Sequence, residues 1–256
     1  MREARRAVAD LAAALSPDGS PLGAMAGPAT QAAAAACRIL ADLLDASCAP
    51  LPDDPAELAT WAATGSDLPA TLVRRAQLLL PRPGLDLDAP PPGFVAMARR
   101  LAADAQFGLL PEAGGGAADP GPLHRLPDAE RSGCATLGPV AGRLAALLYD
   151  ARHAARRLRR TDVVPPAAIL LEDGWGAGMA ATARGPLVQA LRLSGDRIVE
   201  FRSAAPTEWL LHRDGALLRC LAALPEGTAA TELRIAVAAF DPCAPVVVAA
   251  ESRADA

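Results

Sequence analysis

The apolar residues of this chain follow a helical spacing up to about residue 160 and a shorter spacing beyond it. The clearest predicted helix runs from Val140 to Leu158, where apolar residues recur three or four positions apart on one face. Several arginines follow in its last turn and suit the negative end of the helix dipole. No aromatic residues lie among them to stack on bases, so they indicate a solvated helix end rather than a nucleic-acid surface.

Earlier helices are predicted from the same spacing, from proline in a first turn and from capping residues such as Asp67. They cover residues 2–15, 30–46, 55–61, 66–79 and 94–106. In the fourth of these helices, the predicted apolar stripe consists of Leu72, Val73, Leu78 and Leu79.

Two stretches interrupt this helical part of the chain. Repeated prolines and glycines between Pro81 and Gly93 exclude a helix or a central strand, and indicate a linker or an extended crossover. The segment from Gly108 to Pro127 has no periodicity, and irregular segments of that length are usually functional or disordered. Both alternatives stay open at this point.

Beyond Thr161 the apolar runs become short or alternating, which is typical of strands. Ser194-Gly195-Asp196 predicts a hairpin turn between two of them, and Gly174 to Gly178 is expected between strands. The predicted strands cover residues 168–171, 179–183, 187–193 and 197–201, and helices resume at 213–223 and 231–240. The fold class is therefore predicted to be mainly α with a small β element (α+β).

Composition limits the function classes that the chain fits. The 256 residues are 52% apolar, enough for one large or two small domains, and contain no lysine or asparagine. The absence of these residues indicates a codon bias, so alanine runs and frequent arginines carry no functional meaning. A net charge of -4 gives no general attraction to nucleic acid or to anionic membranes.

Location is predicted from the N-terminus, the apolar stretches and the cysteines. Mixed charges at the N-terminus do not match a secretory signal, and the most apolar stretch, Ala32 to Leu44, is too short to span a bilayer. Five isolated cysteines suit a reducing compartment. We therefore expect a soluble, cytoplasmic protein.

The last predicted helix leads into Asp241-Pro242-Cys243, which places a carboxylate and a thiol one proline apart. Because proline fixes the backbone between them, this is a geometry suited to a ligand, and a thiolate is a soft ligand suited to iron. The alternative is that Cys243 is a buried apolar residue before the strand-like Val246 to Val248.

Two further stretches precede it, Arg184-Gly185 and Pro206-Thr207-Glu208-Trp209. In this order and spacing, the three stretches resemble the C-terminal part of the large subunit of nickel-iron hydrogenases. Gly138-Pro139-Val140-Ala141 resembles the stretch that opens a long helix in the same subunit, so the resemblance spans about residues 136 to 245.

The departures from that family are equally informative. Its second C-terminal cysteine and its histidine would fall at Val246 and Ala249, and no Cys-x-x-Cys occurs anywhere in the chain. The nickel site of that family uses four thiolates, and this chain could offer one at most. No nickel site and no hydrogenase activity are therefore expected. With these losses, the chain resembles the HupK-type hydrogenase expression/formation proteins, shortened relatives of the large subunit.

What this resemblance implies is an accessory scaffold or chaperone, not an enzyme, that helps to assemble the Fe(CN)2CO fragment or to hand it over. It assigns cofactor binding to Arg184, Asp241 and Cys243: Cys243 binds the iron, and the other two steady its diatomic ligands. The implied partners are a maturation chaperone of the HypC/HupF type and the immature hydrogenase large subunit. The alternative for Arg184 and Asp241 is a structural salt bridge.

The predicted regions are a helical N-terminal region (1–80), a helix flanked by linkers (81–127), a large-subunit-like region (128–250) and a tail (251–256). Two other functions stay open. One is a metal-free interaction protein that mimics the large subunit, and the other is a redox or hydrolytic enzyme on an unrelated helical fold. A phosphate-binding loop at Gly174 to Gly178 is disfavoured, because no Gly-Lys-Ser/Thr follows.

Overall fold

A computed structural model describes residue 42 and residues 51–82, 84–85, 88–160, 167–242 and 247. The predicted helices at 2–15 and 30–46 therefore lie outside the described residues, except for Asp42, which is helical. Cys243 lies outside them as well.

The chain divides into two compact units. One comprises residues 1–51 and 148–164, and the other comprises 52–147 and 165–256. In the first unit, Arg159 pairs with Asp42 at 2.9 Å. The candidate site lies entirely in the second unit. The region boundaries at residues 80, 127 and 250 stay predictions.

The described residues form eight α-helices, with short 3-10 turns at Pro55–Glu57, Gln106–Gly108 and Pro122–His124. The helices are α1 (Leu58–Thr64), α2 (Leu68–Leu79), α3 (Phe94–Ala103), α4 (Asp128–Thr136), α5 (Pro139–Arg160), α6 (Pro206–Leu210), α7 (Ala216–Ala222) and α8 (Ala230–Ala238).

Local sequence explains where several of these helices begin. The Asp67 carboxylate accepts the Ala70 backbone N–H at 2.8 Å and caps α2, as predicted. Gly138 separates α4 from α5 with φ +88°, and a Cβ there would lie 2.4 Å from the Arg82 carbonyl oxygen. Only glycine fits that turn, after which Pro139 begins the long helix α5.

Four antiparallel strands form one sheet in the order β1-β2-β3-β4. They are β1 (Ala167–Leu170), β2 (Trp175–Thr182), β3 (Gly185–Ser194) and β4 (Arg197–Ala204). Ser194 pairs with Arg197, so the predicted hairpin turn at Gly195-Asp196 is confirmed. The α+β fold class is confirmed too.

One face of this sheet packs on α3 and forms the core. Val188, Ala190 and Ala204 are buried there, and Trp209 from α6 is fully buried with Phe107 at its edge, 5.9 Å between ring centroids. Trp209 is therefore a packing residue of this core. Its helix α6 was not predicted.

Three predictions about local structure need correction. The stretch Trp175–Gly178 is part of β2 rather than a loop, because Trp175 and Ala177 bury their side chains while glycines alternate with them. Helix α2 buries Ala70, Val73, Ala76 and Leu79, whereas Leu72 and Leu78 of the predicted stripe are 37% and 74% exposed. Alanines lie inward because α2 packs between α1 and α8, where small side chains allow close approach. The helix predicted at 213–223 is shorter, at 216–222.

The irregular segment from Gly108 to Pro127 is described throughout and is partly buried. Residues 118 to 123 are buried, although only Pro122 and Leu123 among them belong to a 3-10 turn. The segment therefore contributes to the interior of this unit. Among the described residues, no helix is both long and apolar enough to cross a membrane. A cytoplasmic location stays a prediction.

Candidate functional site

The turn between β2 and β3 presents Arg184. Thr182 pairs with Gly185, which leaves Ala183 and Arg184 as a two-residue turn. The Thr182 hydroxyl donates to the Gly185 carbonyl at 2.7 Å and accepts the Arg184 backbone N–H at 3.2 Å. One threonine side chain therefore closes the turn and fixes the backbone of Arg184.

The tip of this hairpin is packed against the irregular segment. Gly185 has φ +134°, and a Cβ there would lie 2.6 Å from the Pro120 carbonyl oxygen, so the approach requires glycine. From the same segment, Arg125 donates to the Ala183 carbonyl at 2.6 Å. Both sides of the Arg184 turn are thus held by residues 120 to 125.

Asp241 lies just beyond the last helix, α8, in a left-handed conformation with φ +45°. Its backbone N–H donates to the Ala238 carbonyl at 3.1 Å and closes the final turn of that helix. A non-glycine residue in this conformation is uncommon, and aspartate adopts it more readily than most.

Arg184 and Asp241, which are 57 positions apart, contact each other, as in the salt-bridge alternative, and their predicted role in cofactor binding stays a prediction. The Arg184 Nε donates to the Asp241 backbone carbonyl at 2.7 Å, and its Nη2 donates to Asp241 Oδ1 at 3.0 Å. Both side chains are about one-third exposed, at 35% and 38%. The arginine therefore holds both the backbone and the carboxylate of Asp241.

This contact leaves part of the guanidinium available. Arginine has five N–H donors, and the Asp241 contacts occupy Nε and one donor of Nη2. Within the described residues, the Nη1 group donates to no protein acceptor. An anchored guanidinium with unused donors at a partly exposed position can bind a small anionic acceptor.

A second arginine contacts the neighbouring residue. The Arg143 guanidinium lies over the Phe240 ring, 4.3 Å from its centroid. Arg143 Nη2 is 2.6 Å from Asp119 Oδ2, and both side chains are buried, at 4% and 0% exposure. Asp119 Oδ1 also accepts the Gly121 backbone N–H at 2.9 Å. Consecutive residues at the end of α8 are therefore each contacted by an arginine from another part of the chain.

A cavity of about 270 Å³ lies beside the hairpin tip. Its lining is largely apolar and includes Pro90, Pro120 and Pro186, with His124 at one side. The His124 Nε2 is 3.0 Å from the Asp88 carbonyl oxygen, so this ring is already engaged with the backbone.

The sequence did not reveal Asp119, Arg125 or Arg143. Asp119 and Arg125 lie in the aperiodic segment, where no pattern predicts packing. Arg143 had a recognisable signature, because it is a charged residue within the apolar first turns of α5. A buried helix charge usually has a partner, which a search of the aspartates could have suggested.

The predicted iron ligand, Cys243, lies outside the described residues, and its role stays a prediction. Among the described residues, no three His, Cys, Asp or Glu side chains group as a metal site. Cys134 and Cys220 are buried. Burial, with a contribution from the charge of Glu130, raises the pKa of Cys134 to about 12, so its thiol stays protonated at neutral pH.

Comparison with known proteins identifies related chains. No family model matches. The chain is 33% identical over 226 residues to the hydrogenase expression/formation protein HoxV of Cupriavidus necator, covering 79% of this chain and 58% of that protein. It is 32% identical over 220 residues to the hydrogenase expression/formation protein HupK of Azotobacter vinelandii, covering 76% and 58%. A HupK of Bradyrhizobium diazoefficiens is 34% identical over 155 residues, covering 57% and 42%.

The chain thus spans less than two thirds of the length of these curated relatives. Their identity to this chain extends over most of its residues, and all three share the expression/formation name. The predicted resemblance to the HupK-type proteins is confirmed: the matched part of this chain belongs to the HoxV/HupK group of hydrogenase expression/formation proteins.

Proposed function

We propose that this chain is an accessory scaffold in nickel-iron hydrogenase maturation, which holds the Fe(CN)2CO fragment before its delivery to the immature large subunit. The observation that supports this most directly is the anchored Arg184, some of whose donors have no acceptor among the described residues and which lies beside the chain segment that leads to Cys243. The expression/formation names of the relatives support the same biological process.

The residues take separate roles in this proposal. The Cys243 thiolate binds the iron as a soft ligand. Covalent geometry keeps its Cα within about 7 Å of the Asp241 Cα, since only two residue steps separate them. Arg184 then donates hydrogen bonds to the anionic cyanide ligands, and Asp241 holds the guanidinium in place.

No chemical step on the fragment is assigned to the chain, which acts as a carrier rather than as an enzyme. The fragment arrives from a maturation chaperone of the HypC/HupF type and leaves for the large subunit. A single thiolate suits such a transient cargo, because fewer protein ligands must be exchanged at delivery. No nickel site is assigned.

Infrared spectroscopy tests the proposal. The tagged protein is purified without oxygen from a host with the hydrogenase maturation machinery, together with Cys243→Ala and Cys220→Ala variants. We expect cyanide and carbonyl stretches in the native protein and in Cys220→Ala, whose thiol is buried in α7, and their loss in Cys243→Ala. Absence of the bands from all three samples contradicts the iron-carrier role.

A second candidate is the metal-free interaction protein that mimics the large subunit. The outer face of the sheet favours it, because this face is apolar and forms an open trough of about 580 Å³. Leu170 and Phe201, which line the trough, are 90% and 59% exposed. Under this alternative, Cys243→Ala still co-purifies with the chaperone or the large subunit and still supports hydrogenase maturation.

A further inference from the structure

The end of α8 requires support from elsewhere in the fold. The Phe240 and Asp241 backbone N–H groups donate to the Val237 and Ala238 carbonyls at 3.0 and 3.1 Å, so the last turn is tight. Asp241 then takes φ +45°. A non-glycine residue keeps this conformation only when its surroundings determine it. Arg184 provides one such contact from the hairpin tip.

Phe240 is the other fixed point of this turn. Phe240 is 7% exposed, and its ring lies under the Arg143 guanidinium. A guanidinium over an aromatic face is attracted by the electron density of the ring, and the attraction strengthens when both groups are removed from water. The position of Phe240 therefore depends on the position of Arg143.

Arg143 itself cannot move freely. Its buried partner Asp119 lies 2.6 Å away and also accepts the Gly121 backbone N–H. The irregular segment that carries Asp119 is the one that packs under Gly185 and holds the Arg184 turn. Both arginines are thus held in place by the same segment, residues 119 to 125.

We infer that Arg143, fixed by Asp119, is a positioning residue that holds Phe240 and thereby sets the direction in which Asp241 and Pro242 leave α8. What the positioned cysteine then binds rests on the proposed function. The positioning itself does not depend on iron.

The test compares two arginine-to-lysine variants by amide hydrogen exchange. Arg143→Lys keeps a positive charge near Asp119 but loses the planar contact with Phe240. Arg100→Lys is the matched control, because Arg100 lies 4.6 Å over the Phe107 ring, away from α8. We expect exchange at residues 239 to 241 to accelerate by about threefold to tenfold in Arg143→Lys only. Amides in α3 serve as the internal reference for Arg143→Lys, and amides in α1 serve for Arg100→Lys, because Arg100 itself lies in α3.

A purely structural role for Arg143 predicts a different result. Exchange then rises to a similar extent in α3 and at residues 239 to 241, and the inference is overturned. It is also overturned if exchange at residues 239 to 241 is unchanged in Arg143→Lys, or if Arg100→Lys accelerates exchange there to the same extent.

The consequence for the thiol is measured by mass spectrometry of Cys243 alkylation. We expect the alkylation rate of this residue to rise by a similar factor, about threefold or more, in Arg143→Lys and in Phe240→Leu. Phe240→Leu keeps an apolar side chain and leaves the Arg143–Asp119 pair intact, so it isolates the ring contact. An unchanged rate in both variants contradicts control of the exit direction.

These readouts separate the inference from the proposed function. Faster local exchange with no infrared bands in the native protein supports the positioning and contradicts the iron-carrier role. Infrared bands in the native protein with unchanged local exchange in Arg143→Lys support the carrier and contradict the positioning.

Discussion

Two arginine–aspartate pairs lie at the end of the same helix, and they differ in their burial. Arg143 and Asp119 are 4% and 0% exposed, whereas Arg184 and Asp241 are 35% and 38% exposed. A buried pair depends on both members, because removal of one leaves a charge without compensation. A half-exposed pair contributes little to stability, but its remaining donors can reach a ligand. The same residue types thus serve structure in one place and recognition in the other.

The largest expected effect is on the buried pair. Asp119→Ala removes the only charged partner found for Arg143 among the described residues and should lower the free energy of unfolding by about 3 to 5 kcal/mol. Urea denaturation followed by circular dichroism measures this change. A loss below about 1 kcal/mol contradicts the structural role of the pair.

Substitution in the half-exposed pair should have little effect on stability and a large effect on ligand binding. Arg184→Met keeps much of the side-chain length and should lower the free energy of unfolding by less than about 1 kcal/mol. The same variant should lose most of the cyanide and carbonyl infrared intensity, because the donors to the cyanide ligands are gone. Full intensity in the variant contradicts the recognition role of Arg184.

Substitutions at Asp241 separate the effect of its backbone conformation on stability from the effect of its carboxylate, which glycine and alanine both lack. Asp241→Gly tolerates φ +45°, whereas Asp241→Ala does not, so the alanine variant should be less stable by about 1 kcal/mol. Thermal unfolding of both variants checks this order. Equal stability indicates that the left-handed conformation is not maintained in solution.

The smallest effect concerns a buried thiol away from the site. The pKa of Cys134 is raised to about 12 from 9.0, so the folded state holds this proton more tightly. The contribution of this proton to the free energy of unfolding is complete at pH values below the pKa of the unfolded state. It is lost as the pH rises from that value toward 12. At about pH 9.5 the free energy of unfolding of the wild-type protein should be lower than at neutral pH by somewhat less than about 1 kcal/mol.

Cys134→Ala serves as the control for this pH dependence. Denaturant unfolding between pH 8 and pH 10 should show a smaller loss in the variant than in the wild-type protein. Parallel pH profiles for the two proteins contradict burial of a protonated thiol at this position.

Local patterns predicted those elements whose physics is local. The apolar period of α5, the Asp67 cap of α2 and the Gly195-Asp196 turn each follow from neighbouring residues. The strand at Trp175–Gly178 was hidden because glycines occupy every second position, so its alternation resembles a loop.

The candidate site was predictable only where a resemblance supplied distant partners. Resemblance suggested that Arg184 and Asp241 act together, and the structure brings them into contact. The Asp119–Arg143 pair depends on how an aperiodic segment packs, which no spacing in the sequence specifies. Its discovery required the fold.

Delivery of the iron fragment tests the central claim most directly. The protein is loaded in the maturation host, mixed without oxygen with immature large subunit that lacks iron, separated, and both chains are examined by infrared spectroscopy. The account predicts that the cyanide and carbonyl bands leave this chain and appear on the large subunit, and that Cys243→Ala delivers none. Bands that never occur on this chain, or that stay on it after mixing, contradict a carrier of the iron fragment.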